Sequence, residues 1–160
     1  MCDQETLDQF YEFLSSIKNI YSDMLPILKD EIQCIHDDDI AGLDKALKLQ
    51  QAMVFKTKIF DKKINTYLSD MDITADTLTV TIEQFPEEAR FRFYAFLGEF
   101  SDVMEEVAFY RDKCRELLQT KLYKIEYQIE RAGVPQAVSY DDHAGEVNSS
   151  PYIKVFEKMI

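Results

Sequence analysis

Four polar residues interrupt helical seams that are otherwise apolar: Glu31, Gln50, Arg111 and Lys121. A carboxylate, an amide, a guanidinium and an ammonium at one level could grip a polar ligand through charge-assisted hydrogen bonds. The same groups could instead satisfy one another and penalise slipped helix alignments, as buried polar residues do in coiled coils. The register role is the reading adopted. Folding the second helix back on the third brings Gln50 and Arg111 to similar height, while Glu31 and Lys121 fall toward one end.

Catalytic groups are scarce. The chain has two histidines, His36 and His143, and neither follows a Glu at the three-residue spacing of a di-iron bundle site. HExxH, GxxxxGK[ST] and GxGxxG are missing, as is any Ser/His/Asp arrangement. Cys2, Cys34 and Cys114 form no metal spacing, and an odd count does not suggest a disulfide framework. The aspartates of "HDDDIAGL" could hold a cation, but an EF-hand needs ligands along a longer loop with a closing Glu. Capping of the next helix is the reading taken for them. No catalytic residue, cofactor or metal is therefore expected.

The formal charge of −12 works against binding nucleic acid, where Lys and Arg must neutralise phosphates, and against anionic membrane surfaces. No apolar run approaches the roughly 18 residues of a membrane span. The start "MCDQETLDQF" lacks the basic and apolar regions of a signal peptide, and free thiols fit a reducing compartment, so a cytoplasmic protein is expected.

The elements that position these residues read as helices. Only 4 Gly and 4 Pro are too few for a many-stranded sandwich, while a hydrophobic fraction of 46% excludes a wholly disordered chain. Leu7, Phe10, Leu14, Ile17, Tyr21, Met24, Leu28, Glu31 and Ile35 fall at alternating spacings of three and four, a coiled-coil seam. Pro26 interrupts the run without shifting its phase, so a kink rather than a break is expected. A second helix is predicted with inward rows at Leu43, Leu47, Val54 and Leu68 beside Ala46, Met53, Phe60, Ile64 and Tyr67; Gln50 and Thr57 are its polar exceptions. "LTVTI" is the one β-prone run, read as a connector with a short helical turn because a lone strand has no partner. The third helix carries Phe93, Leu97, Phe100, Met104, Val107, Arg111, Cys114, Leu118, Lys121 and Ile125, and Gly133 and Pro135 end it. The expected fold is all-α: three long antiparallel helices at about 3–36, 40–71 and 87–132, forming an elongated coiled-coil-like bundle over residues 1–135. Residues 136–160 are expected to form a flexible tail. Its polar "SYDDHAGEVNSS" precedes a short amphipathic helix with Tyr152, Val155, Phe156, Met159 and Ile160 on one face. That helix could dock a partner or pack back on the bundle.

"LPILKDEIQCIHDDDIAGLDKAL" resembles the first hairpin of the FlgN family of flagellar export chaperones. "TLTVTIEQFPEEARFRFYAFLGEFSDVMEEVAFYRDKCRELL" resembles its connector and third helix, and "VSYDDHAG" its Tyr-to-Gly motif, here Tyr140 to Gly145. Arg111 and Cys114 stand where the family often has Asn, and Gln50 or Gln51 where it commonly has Lys. The resemblance implies a cytoplasmic, non-enzymatic chaperone of type III flagellar export. It would bind the C-terminal helical segment of hook-associated proteins, prevent premature assembly and deliver them to the export gate, with Tyr140 facing the gate. The alternative is a coiled-coil scaffold or assembly adaptor. A weak homo-oligomer is compatible with the chaperone reading, and a stable one is expected of a scaffold.

Overall fold

A computed structural model of the chain describes residues 3–133. Five helices follow one another: α1 (Gln4–His36), α2 (Ile40–Thr57), α3 (Phe60–Asp70), α4 (Leu78–Glu83) and α5 (Glu87–Arg131). No strand occurs among the described residues, and the long helices pack together along apolar seams.

Asp3 starts α1, its Oδ1 accepting from the Thr6 N–H at 2.7 Å. All nine residues of the seam from Leu7 to Ile35 are buried, including Glu31. Pro26 lies inside α1, which runs on through it. Its ring sits on the exposed side, where water can serve the carbonyl that a missing N–H leaves without its usual donor. The turn after α1 gives each aspartate its own task. Asp37 accepts from Gln33 Nε2, Asp38 takes the left-handed conformation at φ 55°, and Asp39 Oδ1 receives the Gly42 N–H at 2.9 Å. Asp39 N–H closes back on the Cys34 carbonyl at 2.9 Å, a Schellman-type ending in which Asp stands in for the usual Gly. Asp72 repeats the device after α3, also at φ 55°, with Ile73 N–H bonded to the Leu68 carbonyl at 2.8 Å.

The expected second helix over 40–71 is two helices. Thr57 Oγ1 donates to the Val54 carbonyl at 2.7 Å, and the Lys58 N–H turns to the Phe55 carbonyl at 3.3 Å. Such back-bonding by a hydroxyl competes with the regular ladder and bends helices. Lys58 and Ile59 keep helical angles, so α3 continues from a tightened turn. "LTVTI" forms α4, capped by Thr77 Oγ1 on the Val80 N–H at 3.3 Å, and buries Leu78, Thr81 and Ile82 beside α5. Pro86 then caps α5, with Glu87 and Glu88 at the positive end of its dipole.

The central helix is α1. It runs parallel to α5, with Phe10 beside Phe93, Tyr21 beside Phe100 and Leu28 beside Cys114. It runs antiparallel to α2 and α3, with Glu31 on Gln50, Phe13 on Phe60 and Phe10 on Tyr67. Phe85 and Phe96 complete an aromatic cluster toward the start of α1. Between α2 and α5 there is no seam comparable to those α1 makes with each. The inward rows expected of the second helix are correspondingly thin: α2 fully buries only Ala46 and Thr57, and Leu47 is 40% exposed rather than inward. A helix with one main neighbour has only one face to bury.

Candidate functional site

The polar layer comes together around Glu31, only 3% exposed on α1. Gln50 of α2 donates its Nε2 to Glu31 Oε2, joining the antiparallel pair at this level. From α5, the buried Cys114 thiol donates to the Leu28 carbonyl at 3.6 Å. Burial, and secondarily the charge of Glu31, push that thiol up to about 12 from its ordinary value of 9.0. It is therefore protonated and a poor nucleophile at neutral pH. Arg111, one turn before Cys114 on α5, is half-buried. Lys121 does not reach the level of Glu31 but ion-pairs with Asp38 in the α1–α2 turn. The layer thus has two storeys: Glu31 with Gln50 and Cys114 in the core, and Lys121 with Asp38 at the end.

Beside this layer, Ile27, Cys34, Gly42, Ala46 and Leu49 line a shallow cleft of about 330 Å³ between α1 and α2, rimmed by Asp30, Asp37 and Asp39. Desolvation, then the carboxylates of Asp39, Asp30 and Asp37, raise the Cys34 thiol. Gly42 packs closely against both Asp39 and Cys34. A Cβ on it would lie 2.3 Å from Asp39 Oδ2 and 2.7 Å from Cys34 Sγ, displacing the cap and the thiol at once. No group of three or more metal-ligating side chains occurs among the described residues.

A feature not anticipated lies beyond Lys121. The α5 seam continues through Leu122, Ile125 and Ile129, but α1 has already ended at the turn that Lys121 touches. Leu122 is 49% exposed, and Ile125, expected in the seam, is 51% exposed. At 100° per residue, Leu118, Leu122, Ile125 and Ile129 share one stripe, with Lys121 on one flank and Glu126 on the other. Covering the exposed halves of Leu122 and Ile125 is worth about 1.5–3 kcal/mol. The signal was present in the sequence, as a period that outlasts the partner helix. Tyr140, Gly145, Tyr152, Val155, Phe156, Met159 and Ile160, the expected partner-binding residues, lie outside the described residues.

Among the described residues no helix is long and apolar enough to cross a membrane. The arrangement offers chemistry of contact: apolar stripes with charged flanks, and a buried carboxylate held by an amide. Comparison of the chain with protein-family models, with curated proteins and with solved structures finds no match in any of the three.

Proposed function

We propose that this chain is a non-enzymatic helix-binding protein of the export-chaperone kind, an elongated antiparallel three-helix bundle whose partner is an amphipathic helix. The observation that carries the reading is the apolar stripe of α5 running past the end of α1, with Leu122 and Ile125 half-exposed. A surface of this form is what helix-in-groove recognition uses. The thin cover that α2 gives α1, with Leu47 exposed, adds a second apolar strip. The resemblance to the FlgN family names the partner: the C-terminal helical segments of hook-associated flagellar proteins, held unassembled in the cytoplasm and passed to the export gate. The polar layer serves register in this reading, and no cofactor takes part.

Calorimetry of the full chain against synthetic C-terminal segments of hook-associated subunits tests it. Binding should carry a negative heat-capacity change as the segment folds on the apolar stripe. Leu122→Ser with Ile125→Ser should weaken it at least about tenfold, the equivalent of about 1.4 kcal/mol. Absence of heat at about 100 μM chain, far above the dissociation constant a useful chaperone needs, removes the proposal. A stable homo-oligomer in place of that binding would select the scaffold reading.

A further inference from the structure

We propose that the stripe at the end of α5 is the seat of this chain's own last residues, 152–160. The stripe begins where Lys121 meets Asp38 and runs about 15 Å to the end of the helix. There the Ala132 N–H bonds to the Gln128 carbonyl at 3.0 Å and the Gly133 N–H to that of Glu130 at 3.1 Å. Gly133 takes φ 70°, the left-handed cap that turns a chain away from the helix axis. Residues 134–160 leave from this point.

Length and pattern fit the stripe. Eighteen residues, 134–151, separate Gly133 from Tyr152. At about 3.3–3.6 Å per residue they reach some 60 Å, several times the distance to be covered, and a loose coil of that length averages about 23 Å between its ends. The segment then places Tyr152, Val155, Phe156, Met159 and Ile160 at helical spacing, nine residues from first to last, against a stripe of similar length. So short a helix is marginal in water and needs a surface.

Charge permits this seat. Residues 3–120 hold thirteen cations against twenty-four carboxylates. Residues 121–131 hold Lys121, Lys124 and Arg131 against Glu126 and Glu130, a net positive charge. Residues 134–160 are net negative, with Asp141, Asp142, Glu146 and Glu157 against Lys154 and Lys158. Residues 152–160 themselves carry Lys154 and Lys158 against Glu157, so the stripe and the segment each offer both signs for pairing at their edges. A second copy fits less well. Antiparallel pairing of two stripes sets the Lys121 flank against itself and the Glu126 flank against itself. Parallel pairing drives the second α5 into the space α1 fills. If the chain is an export chaperone whose partner helix takes the same stripe, that helix must displace 152–160, and the vacant chaperone keeps its apolar end covered.

Hydrogen exchange at residues 122–131 tests the seat without any partner present. A short tether supplies a local concentration of about 1 mM, so a segment with a dissociation constant near 100 μM should slow exchange there about tenfold. Ending the chain at Ser150, or Phe156→Glu in the full chain, should remove that protection. A synthetic peptide of residues 151–160 at about 1 mM should restore it to the shortened chain. Equal exchange in the full and shortened chains overturns the proposal. So does protection that grows with protein concentration alongside a doubled mass in sedimentation, which assigns the stripe to a second copy. Either failure leaves the partner-helix reading standing, because calorimetry decides that separately.

Discussion

Raising the pH interrogates the core around Cys114. The folded chain holds this thiol up to about 12, through burial first and the Glu31 charge second, against an ordinary 9.0. An acid whose folded pKa is raised keeps its proton in the native state after the unfolded chain has lost it. Its contribution is complete below about pH 9 and drains away as the pH climbs toward about 12. At about 1.4 kcal/mol per unit, the full gap sets a ceiling near 4 kcal/mol. Lysines and tyrosines titrate in the same range, so the comparison is with Cys114→Ala, which shares every other group. That variant starts about 1 kcal/mol lower, having lost the sulfur's contacts and the bond to the Leu28 carbonyl. The slope is the readout. Urea unfolding between about pH 8 and pH 11 should show the wild type losing about 2 kcal/mol more than the variant. Glu31→Gln should shrink the difference without abolishing it, because burial is the larger cause. Parallel stability curves to about pH 11 would refute the account.

The remaining predictions concern the polar layer and the α1–α2 turn. Gln50→Leu strips the amide from the buried Glu31 and should cost about 1–3 kcal/mol in the same titration. Asp39→Ala leaves the Gly42 N–H uncapped and should cost about 1 kcal/mol, with thermal unfolding as the measure.

Much of this architecture was legible beforehand, and the parts that were not share a cause. The alternating spacing from Leu7 to Ile35 is buried at every position, Glu31 included, because α1 is flanked on both sides and its pattern meets real neighbours. Periodicity tells which face of a helix is apolar but not how many helices come to meet it. Leu47 and Ile125 therefore read as inward and are exposed. The break after Thr57 carries no Gly or Pro, and the Thr57 hydroxyl bonded back to the Val54 carbonyl leaves no mark in the sequence pattern. Lys121 stands toward the same end as Glu31, as its spacing implies, and there pairs with Asp38 of the α1–α2 turn. The Gln50–Glu31 contact was half visible. Both residues stand out as polar on apolar seams, yet spacing alone sets Gln50 at the height of Arg111 and does not reveal its bond to Glu31.

The parallel pairing of α1 with α5 also sets a schedule. Contacts such as Lys18 with Glu99 and Leu28 with Cys114 join residues 81 and 86 positions apart, whereas the α1–α2 hairpin that forms nearby in sequence covers α1 only thinly. A ribosome adds about 5–20 residues per second, so α1 waits roughly 4–16 seconds for the helix that buries its seam. During that interval nine large seam positions lie open on a nascent chain, the condition under which polypeptides stick to one another. Ten of the carboxylates lie within the first forty residues, before the third lysine is made, among them Asp3, Glu5, Asp8 and Glu12 ahead of any basic residue. Mutual repulsion among emerging chains thus comes earliest where the exposed seam comes earliest.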